Sequence, residues 1–408
     1  MRILIANDQH WPMRSGVATA VRTQAQGLAA RGHEVLVIAP SQNSRNCTER
    51  DGNYDIMRIR SFRFRNNLRV SVVLDREIRR ILNDFQPDIV HVHTQLVVGL
   101  ATLRAATHKG IPVVATNHVM PINITENVKY LSRLSRPISY IWNEYGTLLY
   151  KGAARIIMPT QSALAMFNLE RIEAPAIAVS NGINLDRFTP TKAPKELYKK
   201  FAIPENKTII SYLGRLDNEK HIDVAMGAFA KLVRSGYDLH MLLVGAGDAE
   251  KPLQSLAESL SVEDRVTFTG PVSDEDMVNL HKVGTIYTMP SPAELQSIAM
   301  LEAMASGKPV VAVDVGALGE LCRNDENGYL VYADDVNGFM RGLQMLLDNP
   351  RRITTFGKRS REIAELHDEK QVMPQFIKLY KEVIAENAAQ REKSPRGFRS
   401  VLGGRRQG

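Results

Sequence analysis

The sequence predicts an α/β fold made of two doubly wound parallel sheets. Three observations carry this. Short apolar runs alternate with amphipathic helical patterns along the chain. Several runs in the second half end on a glycine just before a helical pattern, which in such sheets marks the ligand side at the strands' carboxyl ends. A length of 408 residues suits two domains of ordinary size.

Composition narrows the function classes. Hydrophobic residues make up 44% and charged residues 24%, as in a globular protein. No apolar run approaches the ~18 residues of a membrane span. MRILIAND reads as a first strand and not as a leader, because its apolar stretch is short and interrupted. Cys47 and Cys322 suggest neither a disulfide framework nor a metal cluster, and a reducing compartment fits. The net charge of +8 points to an anionic partner: nucleotide, membrane surface or nucleic acid. No nucleic-acid module is recognisable.

In the first half, strands are expected at Arg2–Ala6, Glu34–Ile38, Ile89–His93, Val113–Thr116 and Arg155–Met158. Helices are expected at Ala18–Arg31, Asp75–Asp84 and Ile138–Tyr150. The loop after the first strand lacks G-x-G-x-x-G, which weighs against a dinucleotide enzyme. Its Gly16 precedes a helix and lets backbone approach a phosphate. An ordinary turn glycine is the plainer alternative. His91 and His93 alternate with Val92 and share one strand face. A metal between them lacks a third ligand. His118 lies just past a strand end.

Two stretches suggest an anionic membrane surface. Arg58, Arg60, Arg63, Arg65 and Arg69 lead into a helix on which Arg76, Arg79 and Arg80 oppose Ile78, Ile81 and Leu82. Each such cation gains about 1 kcal/mol near anionic lipid. Lys129–Tyr150 mixes aromatic and basic residues and suits an acceptor groove. Solvated or packed helix faces explain both stretches equally well.

In the second half, TPTKAPKELYKKF reads as a linker. Ile209–Asp223 reads as a strand, Gly214, then Arg215 and Lys220 before a helix. Two cations there suit a diphosphate and the charge that grows on a leaving nucleotide. Gly245 and Gly247 end the next strand. Glu294 is placed at the start of a helix that carries Ile298, Leu301, Met304 and Ala305 on one face, stopped by Gly307 and Pro309. Glu302 then lies about 12 Å along it, at about 1.5 Å per residue. Two solvated glutamates on an amphipathic helix would explain that pair taken alone.

The surroundings resemble a known family. Glu294 to Glu302, followed by EAMASGKPVVA, resembles the Glu-x7-Glu motif of retaining GT-B glycosyltransferases, glycosyltransferase family 4. Gly214, Arg215, Glu219 and Lys220 match its G-R-x-x-x-E-K-G pattern, with His221 in place of the final glycine. Ser15-Gly16-Val17 replaces its usual Gly-Gly-Val. Leu295, Gln296 and Ser297, and Thr116-Asn117-His118, look like the branch that glycosylates diacylglycerol and related lipids.

The resemblance implies a GT-B fold with a nucleotide-sugar in the cleft between two Rossmann-like domains. It implies an acceptor-side domain at 1–183 and a donor domain at 184–370. A helix at 371–393 would cross back to the first domain, and a basic tail would occupy 394–408. Glu294, His118, Arg215 and Lys220 take the catalytic roles, with His118 on the sugar and a phosphate oxygen. Gly16, Gly214, Gly245, Val272, Leu295, Gln296, Ser297, Ile298 and Glu302 take the donor-binding roles, with Glu294 on sugar hydroxyls and Glu302 on the ribose. No metal or other cofactor is implied. The implied partners are a UDP-glucose donor and a lipid acceptor at the cytoplasmic face of the plasma membrane. Alternatives are phosphatidylinositol mannosylation from GDP-mannose, a soluble acceptor, a non-catalytic sugar-nucleotide sensor and a nucleic-acid binder.

Overall fold

The computed structural model describes residues 1–13, 15–65, 68–94, 96–118, 150–167 and 174–393. The expected helix from Ile138, the basic and aromatic stretch from Lys129 and the tail from 394 lie outside them, except for Tyr150, which is buried.

Sixteen strands are described. The first domain holds β1 (Arg2–Ala6), β2 (Glu34–Pro40), β3 (Cys47–Asp51), β4 (Tyr54–Ile59), β7 (Ile89–Val92), β8 (Val113–Thr116), β9 (Arg155–Met158) and β10 (Ala176–Ala178). They form one sheet in the order β10-β9-β8-β7-β1-β2-β4-β3. All pairings in it are parallel except β3 with β4. A separate hairpin pairs β5 (Ser61–Arg65) with β6 (Leu68–Ser71). The helices here are α1 (Gly16–Ala29), α2 (Asp75–Phe85), α3 (Val97–His108) and α4 (Gln161–Met166).

The second domain has an all-parallel sheet ordered β13-β12-β11-β14-β15-β16. Its strands are β11 (Thr208–Leu213), β12 (Leu239–Val244), β13 (Val266–Phe268), β14 (Ile286–Met289), β15 (Val310–Val313) and β16 (Gly328–Val331). Its helices are α5 (Lys195–Lys200), α6 (Ile222–Arg234), α7 (Glu250–Ser259), α8 (Asp274–Val283), α9 (Ile298–Ala305), α10 (Leu318–Leu321), α11 (Val336–Leu347) and α12 (Pro350–Glu365). Central strands such as β12 and β15 are buried at every position, which is why they read as apolar runs, interrupted only by His240 in β12.

The last helix, α13 (Glu369–Lys393), returns to the first domain. It buries Val372, Met373, Phe376, Leu379, Tyr380 and Val383 there, among them the partners of Val21, Ala25 and Leu28 on α1. Each such side chain contributes about 1.5–3 kcal/mol. The two helices approach closely at Gly27, where an added Cβ would lie 2.8 Å from Met373 Cγ.

Three expectations need correction. Glu294 is not helical: Ser297 caps α9 by accepting from the Met300 amide, so the helix starts at Ile298. Measuring both glutamates along one helix axis therefore fails. The linker contains α5, because Leu197 is buried and Tyr198 and Phe201 pack on the second core. Arg58 is not at a surface. It is 2% exposed, pairs with Glu49 at 2.9 Å and donates to the Pro40 carbonyl.

Candidate active site

The carboxyl ends of the two sheets face each other. Gly16, after β1, looks across at Ile298, after β14; a Cβ on Gly16 would sit 3.8 Å from Ile298 Cγ1. Two helix N-termini thus converge, and neither α1 nor α9 has an acidic residue in its first turn. Ser15 and Ser297 each cap one amide, leaving other first-turn N–H groups for an anion.

The loop from β11 brings the cations to this place. Arg215 pairs with Asp217 and Glu219. Lys220 Nζ lies 3.3 Å from Glu219 and 2.8 Å from Glu294 Oε1. Burial acts to lower the Lys220 pKa, but Glu294 and Glu219 outweigh it and hold the ammonium above its usual range. The site therefore joins a motif glutamate to a motif lysine before any ligand is considered. His221 stands at φ 47°, the left-handed backbone that glycine takes without strain, and its Nδ1 lies 2.7 Å from Asp334.

The Glu294 loop is held by backbone. The Glu294 carbonyl accepts from the Ala317 amide at 3.2 Å, and Gly316, at φ 64°, packs against it. The next residues face the first domain. The Leu295 carbonyl accepts from the Thr160 hydroxyl at 2.9 Å. Gln296 accepts from the Asn181 amide at 2.9 Å and donates to Ser180 at 3.0 Å. The Gln296 side chain is thus spent on the junction between domains, which its place in a donor motif did not announce. Arg22 and Arg187, from the first domain and the junction, both reach Asp274 on α8.

Glu302 points to His281 Nε2 at 3.1 Å. His281 is fully buried between Phe188 and Tyr287, and its Nδ1 has no hydrogen-bond partner among the described residues. Nothing in the sequence singled it out. Val272 lies in the second-domain core. Gly214 and Gly245 meet backbone to backbone, so a Cβ at 245 would strike the Gly214 carbonyl. That contact alone demands glycine at 245.

On the first-domain side, His91 lies in β7, and His93 and His118 follow the ends of β7 and β8. His93 Nδ1 lies 2.9 Å from His118 Nε2, with the rings stacked. His91 lies between Tyr380 and Thr116, at 2.6 Å from each. Burial lowers the pKa of His91 to about 3, of His93 well below its usual value, and of His118 to about 4. Asp8, also absent from the expected set, accepts from the Val98 and Gly99 amides and fixes the start of α3.

Of the expected membrane cations, Arg79 and Arg80 pair with Asp75 and Asp84 on exposed α2, leaving Arg76 unpaired among the described residues. Among those residues no group of three His, Cys, Asp or Glu could hold a metal ion. No helix among them is long and apolar enough to cross a membrane.

Two family descriptions match the chain in series. Residues 14–187 match Glycosyltransferase Family 4, and residues 194–363 match Glycosyl transferases group 1. An alpha-monoglucosyldiacylglycerol synthase of Streptococcus pneumoniae is 27% identical over 86% of this chain and 79% of its own. A GDP-mannose-dependent alpha-mannosyltransferase of Mycolicibacterium smegmatis is 28% identical over 83% of this chain and 86% of its own. Among solved structures, the sucrose-phosphate synthase of Thermosynechococcus elongatus superposes with a TM-score of 0.78 at 18% identity, over 95% of this chain and 100% of that one. Anabaena HepE, solved with UDP and glucose, gives 0.73 at 18% identity, over 93% and 99%.

Proposed function

The chain belongs to glycosyltransferase family 4, with the group 1 second domain and the GT-B fold, and is a hexosyltransferase; we propose that it moves glucose from UDP-glucose to diacylglycerol or a related lipid, with retention and without a metal. The observation that carries the donor half is the Lys220–Glu294 contact beside two converging helix N-termini.

In this reading the diphosphate lies between Gly16 and the start of α9, at Ser297 and Ile298. Lys220 exchanges its contact with Glu294 for phosphate oxygens, and Arg215 joins it. Both cations neutralise the leaving diphosphate as the glycosidic bond breaks. Glu294, released from Lys220, accepts from sugar hydroxyls. Glu302 accepts from the ribose. His118 meets the sugar from the opposite domain. The acceptor hydroxyl attacks from the face the nucleotide leaves, and the departing phosphate takes its proton. No protein nucleophile is required.

Support for a lipid acceptor comes from the named relatives and from the Glu294–Ser297 resemblance. Apolar side chains left exposed at Phe62, Val72, Leu96 and Val97 agree with it, since β6 packs on α3. The enzyme then works as a peripheral protein on the cytoplasmic face of the membrane. Mannosylation of phosphatidylinositol from GDP-mannose is the second reading, supported by the mannosyltransferases among the relatives, one of them a phosphatidyl-myo-inositol mannosyltransferase of Mycobacterium leprae.

The test offers UDP-glucose, UDP-galactose, UDP-GlcNAc and GDP-mannose in turn, with vesicles of diacylglycerol or phosphatidylinositol, and identifies products by mass and anomeric NMR signal. An α-glucosyl lipid formed from UDP-glucose is expected. Product from GDP-mannose and phosphatidylinositol alone would move the assignment to the second reading. Transfer only to a soluble acceptor would remove the lipid.

A further inference from the structure

Under the first-domain wall of the cleft runs a buried chain of hydrogen bonds that the transfer reaction does not by itself require. It starts at His118 Nε2, passes to His93 Nδ1 at 2.9 Å, and leaves His93 Nε2 for the Gln24 carbonyl at 2.6 Å. The Gln24 amide nitrogen then donates to the Tyr380 hydroxyl at 3.2 Å. That hydroxyl lies 2.6 Å from His91 Nδ1, and His91 Nε2 lies 2.6 Å from Thr116 Oγ1. The members come from β7, β8, α1 and the returning helix α13. Gln24, His91, His93 and Tyr380 are all at most 2% exposed.

We propose that this chain fixes which nitrogen of His118 carries the proton, with Gln24, His93 and Tyr380 as its positioning residues. Donor capacity decides the direction of each link to His118. A carbonyl oxygen only accepts, so His93 must carry its proton on Nε2. A neutral imidazole has one proton, which leaves His93 Nδ1 bare. A bare Nδ1 accepts, so His118 donates from Nε2. His118 Nδ1 is then bare as well. On the other side, Tyr380 accepts from Gln24 and gives its own proton to His91 Nδ1. His91 then donates from Nε2 to Thr116. Every ring N–H in the chain meets an acceptor, and reversing the His93 and His118 links requires the Gln24 amide to turn over. The low pKa values of the buried histidines keep each ring neutral, as this counting needs.

The consequence for transfer rests on the reading of His118 as a donor contact. A bare Nδ1 accepts from a sugar hydroxyl and offers nothing to a phosphate oxygen. His118 therefore acts on the hexose, and the diphosphate is left to the second domain and the helix N-termini. The returning helix also becomes part of the site's wiring, through Tyr380.

The test is two-bond proton–nitrogen NMR on the full chain labelled with 15N-histidine, with His118 assigned from His118→Gln. His118 is expected protonated at Nε2 and bare at Nδ1. In Gln24→Met, His93 loses its acceptor and moves its proton to Nδ1, so His118 is expected to reverse. Tyr380→Phe removes a single oxygen and frees the amide, and a mixture of both His118 forms is expected. This variant carries the test if Gln24→Met does not fold. A wild-type His118 protonated at Nδ1, or an unchanged His118 in the folded variants, overturns the proposal. Transfer from UDP-glucose is measured alongside, with a fall in kcat of about tenfold expected and UDP binding unchanged. A tautomer change with full transfer supports the chain and discards His118 as a donor contact.

Discussion

On the second-domain face of the cleft, Arg215, Lys220, Asp217, Glu219 and Glu294 lie against one another as charged groups. On the first-domain face, His91, His93 and His118 form a neutral hydrogen-bonded set. The difference separates two kinds of work. Paired charges can be re-paired: a diphosphate can replace Glu294 at Lys220 at little cost, because the ammonium stays compensated throughout. Neutral groups hold no such charge in reserve. They supply direction, and each bond is worth about 1 kcal/mol.

That contrast can be broken in order of size. Glu294→Ala removes the proposed sugar contact and one of the two carboxylates at Lys220, leaving Glu219. Transfer is expected to fall about 10³-fold, at the upper end for a group that acts in the transition state, while circular dichroism stays native. Full activity in this variant would remove Glu294 from the site. Lys220→Ala is expected to lower kcat by about 10²-fold. A change confined to KM would make the lysine a uniform binder and not a stabiliser of the leaving group.

Acid should act on the neutral side. The pKa of His91 and His93 is lowered by folding, so the unfolded chain takes up protons below pH ~6.5 that the native chain refuses. Stability is therefore full above pH ~6.5 and is lost as pH falls toward the folded value, about 3 for His91. The expected slope is about 1.4 kcal/mol per pH unit for each histidine. Urea titrations between pH 6 and 5, above the carboxylate range, read it, and a flat profile there would mean that these rings are already charged in the native state.

The smallest expected effect is at His281, which orients Glu302. His281→Phe keeps a ring in the pocket and removes the hydrogen bond. Donor KM is expected to rise about tenfold with kcat nearly unchanged, and 2′-deoxyribose donors should lose less than ribose donors. An equal loss for both would detach Glu302 from the ribose.

Which parts of this were legible follows from range in sequence. β12 and β15 are legible because strands buried on both faces are apolar, with His240 the one polar residue between them. Arg215 and Lys220 sit five residues apart on one loop, and Glu302 to Ala312 is a contiguous motif. Gln296 lies in that motif, and its side-chain partners Asn181 and Ser180 are more than a hundred residues away. The helical apolar spacing that follows Glu294 predicts a helix beginning there. The Ser297 cap overrides that spacing, and a serine before Ile298 was the signal available. The spacing of Leu197 and Phe201 was likewise the signal available for α5, which the polar and proline-containing composition hid. No local pattern joins residues 24, 93, 118 and 380, since only the returning helix brings Tyr380 to the histidines.

The most direct measurement of the charged face is calorimetric titration of UDP into the wild type, Lys220→Ala and His118→Gln. If the second domain holds the diphosphate, binding weakens at least tenfold in Lys220→Ala and is unchanged in His118→Gln. Equal weakening in both, or loss only in His118→Gln, would contradict the division of labour between the two faces.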